Sequence, residues 1–281
     1  MDFRTPEGQQ RYDELVTDAS RVVVGLDFDG VLSPIVEDPS AAVIHPDGPR
    51  TLVALAEQVR GVAVITGRPA RQAIALGTFD EVGSALAEKH RTLHLLGQYG
   101  NERWSSAEGR VVSPRPPKGL SSFMAELPDL LRRHDAAEAF VEEKGLAVAV
   151  HTRRLPDPDG TFERLLPVLT EAATRFDLGV EPGRMVIEVR APGMHKGQAL
   201  RTIHGELGGH GVVFAGDDLG DIEAFRAVDD LRGQGHPGLL ICSGSEEQRA
   251  LVELSDIVVD GPDGVLALLR QFARDAAAAA G

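Results

Sequence analysis

The chain has 281 residues, and its 43 acidic side chains outnumber its 29 lysines and arginines, so the formal net charge is −14. This surplus of negative charge argues against nucleic acid or an anionic membrane surface as a partner, because both bind to basic faces. Cys242 is the sole cysteine, which excludes an intrachain disulfide and a cysteine-based zinc site. We expect Cys242 to be an inert residue of a buried strand.

The first twenty residues are polar and acidic and lack the apolar segment of a signal peptide. No run of apolar residues reaches the length of a membrane-spanning helix. Together with the single cysteine, these features predict a cytoplasmic protein that has no membrane partner. The simplest expectation for its assembly is a monomer.

Helical and strand patterns alternate in the first hundred residues. The helical period appears at 7–19 and 49–60, and short apolar runs at 22–27, 62–65 and 93–97 are typical of buried parallel strands. Alternation of this kind predicts a parallel sheet covered by helices on both faces.

A proline-rich stretch at 113–117 interrupts this alternation. Two α-β-β units follow it, with helices at 120–133 and 161–175 and strands at 139–143, 146–153, 178–181 and 185–190. The α/β pattern then resumes, with helices at 196–207 and 262–273 and strands at 211–215, 239–242 and 257–259. The predicted fold class is therefore α/β, a Rossmann-like core formed by residues 1–110 and 192–281, with an inserted α+β domain at 111–191.

The first strand ends in Asp27-Phe28-Asp29-Gly30, which places two carboxylates at its C-terminal end. Ligands of open α/β sheets bind at that end of the strands. Two carboxylates so close together repel each other unless a cation or a proton joins them, and oxygen ligands of this kind suit Mg²⁺. The alternative is an ordinary polar turn, since Asp-Gly is a common turn dipeptide.

Three further elements carry polar residues at corresponding places. Thr66 follows the second strand, Lys196 begins a helix after the inserted domain, and Asp217, Asp218 and Asp221 follow the strand at 211–215. In this order, the four elements resemble the haloacid-dehalogenase-like phosphatases. That resemblance implies Asp27 as nucleophile and Asp29 as general acid and base, with Thr66 and Lys196 contacting the phosphoryl group. It also implies that Asp27, Asp217 and the backbone carbonyl of Asp29 hold Mg²⁺, and that Asp218 and Asp221 hold Lys196 and metal-bound water.

Within that superfamily, the chain is similar to the trehalose-6-phosphate phosphatase family. The resemblance lies in Leu26-Asp27-Phe28-Asp29-Gly30-Val31-Leu32-Ser33-Pro34-Ile35, Thr66-Gly67-Arg68, Gly97-Gln98-Tyr99-Gly100-Asn101-Glu102, Glu142-Glu143-Lys144, His151-Thr152-Arg153, Glu188-Val189-Arg190 and Lys196-Gly197. It implies that the inserted domain is a cap that recognises a phosphosugar substrate. The substrate-binding residues it implies are Arg68, Asn101, Glu142, Lys144, Arg153 and Glu188.

The chain departs from that family where Gly220 replaces a threonine and Ile222 replaces a glutamate, which puts a contact that supports the metal in doubt. Charged residues that alternate along strands also fit a solvated strand face, so Glu142, Lys144 and Arg153 have an ordinary structural interpretation. Two functional alternatives stay open. One is another sugar phosphatase of the superfamily, acting on sucrose phosphate or mannosyl-phosphoglycerate. The other is a non-catalytic sensor of sugar phosphates.

Overall fold

The computed structural model describes residues 3–36, 38–183, 185–193, 195–244 and 249–281. The chain divides into two compact units. The core unit comprises Met1–Ser113 and His195–Gly281, and the inserted unit comprises Pro114–Met194. Both boundaries lie three residues beyond the predicted ones at 110/111 and 191/192.

The helices and strands follow one another in the order α1 (Pro6–Thr17), β1 (Val22–Leu26), α2 (Gly48–Gln58), β2 (Gly61–Ile65), α3 (Ala70–Gly77), α4 (Phe79–Ala87), β3 (Leu93–Gly97), β4 (Glu102–Ser105), α5 (Leu120–Arg133), β5 (Phe140–Glu143), β6 (Ala147–His151), α6 (Pro158–Arg175), β7 (Gly179–Gly183), β8 (Val186–Arg190), α7 (Lys196–Glu206), β9 (Gly211–Gly216), α8 (Ile222–Gly233), β10 (Gly238–Gly244), α9 (Arg249–Leu254), β11 (Ile257–Asp260) and α10 (Gly261–Ala280).

The core unit is built on a seven-stranded sheet in the order β11-β10-β9-β1-β2-β3-β4. Strands β3 and β4 pair antiparallel, and the other neighbouring strands pair parallel. The chain runs outward from β1 to β2 and β3 on one side, and returns beside β1 with β9 on the other. This reversal is the switch point at which ligands of such sheets bind, so the carboxyl ends of β1, β2 and β9 define the expected site.

Alternating side chains of the buried strands fill hydrophobic clusters on both faces of this sheet. Val22, Val24 and Leu26 of β1 belong to the cluster that contains buried residues of α1, α2, α4 and α10. Ala63 and Ile65 of β2 belong to the other cluster, which contains residues of α7 and α8. The predicted α/β class with a parallel sheet between helical layers is confirmed.

The inserted unit has its own antiparallel sheet in the order β5-β6-β8-β7. Val148 and Val150 of β6 and Ile187 and Val189 of β8 are fully buried together with residues of α5 and α6. Because side chains alternate across a strand, the residues between these valines and isoleucine lie on the opposite face. That second face is polar and carries several of the predicted substrate-binding residues.

Some elements differ from the prediction. The prediction missed α4, α8, α9 and the antiparallel strand β4. The predicted strand at 146–153 was too long, since β6 ends at His151. The assignment of Cys242 to a strand core is confirmed, and burial raises the pKa of its thiol to about 11. Among the described residues, no helix combines the length and the apolar character needed to cross a bilayer.

Candidate active site

The turn after β1 presents the first two carboxylates. The backbone N–H of Asp27 donates to the carbonyl of Ala215 in β9 (3.0 Å), so sheet pairing continues into this residue. The chain then bends sharply, because the N–H of Leu32 donates to the carbonyl of Phe28 (2.9 Å). Asp27 is buried by this arrangement, whereas Asp29 stays partly exposed.

Gly30 allows the β1 and β9 loops to approach each other closely. Its φ of +69° is unfavourable for other residues, and a Cβ placed there would lie 2.2 Å from Oδ2 of Asp217. Its carbonyl accepts a hydrogen bond from the Ser243 hydroxyl (2.5 Å), which holds the turn from the side of β10. Glycine at this position therefore determines how near Asp217 comes to the Asp27 loop.

The loop after β9 is organised by its own carboxylates. Oδ2 of Asp221 accepts hydrogen bonds from the N–H groups of Asp217 (3.0 Å) and Asp218 (3.4 Å). Oδ1 of Asp218 accepts one from the N–H of Gly220 (2.9 Å), which completes a capping box. Gly220 thus leaves the turn intact, although the family resemblance led us to expect a threonine there.

Lys196, the first residue of α7, joins the two loops. Its ammonium lies 2.8 Å from Oδ1 of Asp27 and 2.7 Å from Oδ1 of Asp221. All three side chains are buried, with at most 5% of each exposed. The family resemblance implied that Lys196, Asp27 and Asp221 belong to one site, and the structure brings them into direct contact.

The charges in this cluster do not balance. Asp27, Asp217 and Asp221 against Lys196 leave a formal charge of −2 in a place from which water is largely excluded. Burial, with the charges of Asp221 and Asp218, raises the pKa of Asp217 to about 8. Burial also raises the pKa of Asp27 well above its usual value, while Lys196 opposes the shift.

Lys196 stays charged in this setting. Burial by itself lowers the pKa of its ammonium, but the neighbouring carboxylates Asp221 and Asp27 outweigh that effect and raise the pKa well above the usual value. The site therefore keeps a fixed positive charge next to Asp27.

The donor set fits a divalent cation. Carboxylate oxygens of Asp27, Asp217 and Asp221 all lie within 4.8 Å of one another, the one such grouping among the described residues. Both oxygens of Asp221 already accept hydrogen bonds from protein donors. Asp27 and Asp217 are therefore the side chains with the chemistry to hold Mg²⁺, and the formal charge of −2 matches that ion.

Asp29 faces Arg68 across the neighbouring loop. Nε of Arg68 donates to Oδ2 of Asp29 (2.7 Å), and Nη2 donates to Oδ1 (2.6 Å), so both carboxylate oxygens are engaged. The family resemblance implied that Arg68 binds substrate. In the structure, Arg68 contacts Asp29, the predicted general acid and base.

Thr66 and Asn101 lie in the loops beside Arg68. Thr66 directly follows β2 and is buried, and its hydroxyl accepts a hydrogen bond from the backbone N–H of Arg68 (3.1 Å). The side-chain amide of Asn101 donates to the carbonyl of Gln98 (3.0 Å). Thr66 therefore lies at the same edge of the sheet as Asp27, while Asn101 stabilises the turn after β3.

The polar face of the inserted unit gathers a second charged group. The Lys144 ammonium lies 2.6 Å from Oε2 of Glu188, a side chain that is only 7% exposed. Arg190 lies 2.9 Å from Glu181 and 3.9 Å from Glu188. Burial of the Glu188 carboxylate costs desolvation energy, and the two neighbouring cations offset part of that cost.

The same face extends toward the β5 edge. The Glu142 carboxylate lies 3.0 Å from Nε2 of His151, and the Phe140 ring, half of it exposed, lies 5.4 Å from the His151 ring. Arg153 is exposed in the turn after β6, so the strand alternation we used to place it with Glu142 was wrong.

Sequence reasoning did not propose Arg190 or Phe140 as site residues. The period of two along a strand was a sufficient signal for both, because Arg190 is two residues from Glu188 and Phe140 is two residues from Glu142.

Comparison with solved structures identifies the fold. A structure of the C-terminal domain of a Candida albicans trehalose-6-phosphate phosphatase covers 97% of this chain and 98% of its own, with a TM-score of 0.75 at 19% identity. A haloacid dehalogenase-like hydrolase from Bacteroides thetaiotaomicron covers 89% and 98%, with a TM-score of 0.61 at 14% identity. The fold is that of the haloacid dehalogenase-like hydrolases, as predicted.

Sequence comparison gives the family. The trehalose-phosphatase family model matches residues 131–256. A probable trehalose-phosphate phosphatase of Sinorhizobium fredii is 30% identical over 229 residues, covering 80% of this chain and 81% of that protein. The chain belongs to the trehalose-phosphatase family.

A longer relative is also similar to this chain. An uncharacterized glycosyl hydrolase of Mycobacterium tuberculosis is 35% identical over 233 residues, which cover 79% of this chain. The chain spans only 17% of the length of that relative. Sequence similar to this chain is therefore found both in a protein of similar size and as a small part of a larger one.

The geometry of Gly30 gives a first prediction. We expect Gly30→Ala to weaken Mg²⁺ binding by about tenfold or more, because the new methyl group displaces Asp217. Isothermal titration calorimetry with MgCl₂ measures this directly. The substitution also costs about 1–2 kcal/mol of folding stability through its left-handed backbone, which urea unfolding measures.

Gly109→Ala is the matched control, because Gly109 has a similar φ of +64° and a Cβ placed there would meet no other atom within 4 Å. It should lose comparable stability and keep its Mg²⁺ affinity. If both variants lose Mg²⁺ binding equally, the effect is one of backbone strain, and the assignment of Gly30 as a spacer for Asp217 is wrong.

Proposed function

We propose that this protein hydrolyses trehalose 6-phosphate to trehalose and phosphate through a phosphorylated Asp27. The observation that carries the proposal is the buried ion pair between Lys196 and Asp27 beside Asp217, at the carboxyl edge of the sheet. A nucleophilic carboxylate has to approach a phosphate dianion of like charge, and fixed positive charge beside it lowers that barrier. Family membership supports the choice of substrate.

In the first step, an oxygen of Asp27 attacks phosphorus, and the bond between phosphorus and the sugar oxygen breaks. The carboxyl group of Asp29 gives its proton to the departing sugar oxygen, which leaves as a hydroxyl. The Lys196 ammonium and the Thr66 hydroxyl stabilise negative charge on the phosphoryl group. Trehalose and an aspartyl phosphate result.

In the second step, water attacks phosphorus and the bond to Asp27 breaks. The carboxylate of Asp29 removes the proton of the attacking water, so its original protonation is restored. Inorganic phosphate leaves, and Asp27 is again free to react. Asp221 and Asp218 keep Lys196 and the β9 loop in place throughout.

Mg²⁺ is the proposed cofactor, held by Asp27, Asp217 and the backbone carbonyl of Asp29. When bound, it supplies the positive charge that the cluster lacks and favours the ionised form of Asp27. The high pKa of Asp217 without a cation supports this requirement.

The polar face of the inserted unit is the proposed binding site for sugar hydroxyls. Glu188, Lys144 and Glu142 offer acceptors and donors suited to a polyhydroxylated ligand, as the family resemblance implies. Arg153 and Asn101 remain proposed contributors. A small phosphosugar also agrees with the net charge of −14, which disfavours nucleic acid as the substrate. The proposed location is the cytoplasm, where a chain with a single cysteine needs no disulfide.

The direct test is release of phosphate from trehalose 6-phosphate, measured with Mg²⁺ and with EDTA. We expect turnover with Mg²⁺ and a loss of at least about a hundredfold with EDTA. Sucrose 6-phosphate, mannosyl-phosphoglycerate and para-nitrophenyl phosphate are assayed in parallel.

A larger kcat/KM for another sugar phosphate would contradict the choice of trehalose 6-phosphate while keeping the chemistry. Binding of a sugar phosphate by calorimetry without release of phosphate would identify a sensor and overturn the enzymatic proposal.

The second test concerns recognition. Glu188→Ala should raise KM for trehalose 6-phosphate by at least about tenfold, because a charge-assisted hydrogen bond to the sugar is lost. It should leave KM for para-nitrophenyl phosphate unchanged, since that substrate has no sugar. Steady-state kinetics on both substrates measures the difference.

Glu143→Ala is the control, because Glu143 lies on the same sheet but on the opposite face from Glu142. Thermal unfolding of each variant shows whether the inserted unit stays folded. Equal effects of Glu188→Ala on both substrates would mean that Glu188 stabilises the protein rather than binding the sugar.

A further inference from the structure

We infer that Arg68 is a positioning residue for Asp29 and does not bind the phosphate of the substrate. This inference rests on the proposed function, in which Asp29 transfers the protons of the reaction. The supporting observation is the bidentate contact between the guanidinium and the carboxylate, in which Nε and Nη2 each donate a hydrogen bond to one oxygen of Asp29. A planar guanidinium in this geometry fixes the plane of the carboxylate as well as its position.

The guanidinium is itself held in place. Its Nη1 donates to the carbonyl of Pro39 (2.8 Å), and its Cζ lies 5.8 Å from the centre of the Phe28 ring. The Arg68 side chain is only 11% exposed, compared with 37% for Asp29. Three of the five N–H groups of the guanidinium thus donate to acceptors within the protein, and the Asp29 carboxylate occupies the Nε–Nη2 edge with which an arginine would bind a phosphate in bidentate fashion.

The backbone of Arg68 is anchored as well. Its N–H donates to the Thr66 hydroxyl (3.1 Å), and its carbonyl accepts a hydrogen bond from the N–H of Gln98 (2.9 Å). Thr66 and Gln98 follow β2 and β3, so the rigid sheet determines where Arg68 stands. Through its hydrogen bonds, Arg68 restricts the position of the Asp29 carboxylate, which lies at the exposed side of its turn. Placement of this kind matters, because a displacement of about 1 Å in a catalytic group can cost about a hundredfold in rate.

The two roles predict different kinetics. If Arg68 acts through Asp29, its loss matters most where the leaving group needs a proton. A sugar alkoxide needs one, and a nitrophenolate leaves largely without it. If Arg68 binds the phosphate, its loss affects every phosphomonoester equally.

The experiment compares kcat/KM for trehalose 6-phosphate and para-nitrophenyl phosphate in Arg68→Gln and Arg68→Lys. We expect Arg68→Gln to lose about tenfold to a hundredfold on the sugar phosphate, and at least about tenfold more than it loses on the aryl phosphate. Arg68→Lys keeps the charge but cannot make the bidentate contact. Its kcat/KM for the sugar phosphate should lie between those of the wild type and Arg68→Gln. Arg71→Gln, at an exposed position of α3, is the matched control and should change neither value.

A double-mutant cycle completes the test. In an Asp29→Asn background, Arg68→Gln should change kcat/KM for the sugar phosphate by less than about twofold, because its partner is already lost. Equal losses on both substrates, or losses that multiply in the double variant, would overturn the inference and return Arg68 to phosphate binding. Thermal unfolding shows whether each variant is folded. If Arg68→Gln is not folded, the kcat/KM values of the two substrates are compared in Arg68→Lys instead.

The proposed function can fail separately. A wild-type protein that hydrolyses neither substrate removes the proposed function and this inference together. A wild type that hydrolyses both, with additive effects of Arg68 and Asp29, removes only the inference.

Discussion

The site depends on one buried interaction, the ammonium of Lys196 between the carboxylates of Asp27 and Asp221. A buried charge without a partner is strongly destabilising, and removing one member of such a pair typically costs about 3–5 kcal/mol. The three residues come from the start of α7, the end of β1 and the turn after β9. Their pairing therefore couples the geometry of the nucleophile to the packing of the sheet.

This interaction leaves the cluster short of positive charge. One ammonium cannot neutralise Asp27, Asp217 and Asp221, and the high pKa of Asp217 results from its burial together with the remaining repulsion. The same deficit makes the site suitable for a divalent cation and then for the anionic phosphate that would follow. Gly30 contributes by letting Asp217 come close to the turn that carries Asp27.

The sequence was sufficient to predict the fold class and the residues at the ends of β1, β2 and β9. It succeeded there because short apolar strands ending in acidic or hydroxyl residues give a strong local pattern, and because parallel strands bring those ends together. The short helix α4 was missed, since Thr78, directly before it, adopts a left-handed conformation (φ 48°) that interrupts the helical period.

Contacts between loops were beyond sequence reasoning. Arg68 and Asp29 are 39 residues apart, and no periodicity relates a residue after β2 to a turn after β1. The family resemblance implied a substrate ligand at Arg68, and its contact with Asp29 was not predicted. The strand that ends at His151 was extended to Arg153 because an alternating pattern does not mark where hydrogen bonding stops.

In the proposed reaction, Asp27 carries the phosphoryl group during turnover. Rapid acid quenching of the enzyme during hydrolysis of trehalose 6-phosphate, followed by peptide mass spectrometry, tests this directly. We expect one phosphoryl group on the peptide that contains Asp27, and none after the same treatment of Asp27→Asn. Release of phosphate without a phosphorylated Asp27 at any quench time, or undiminished turnover by Asp27→Asn, would contradict it.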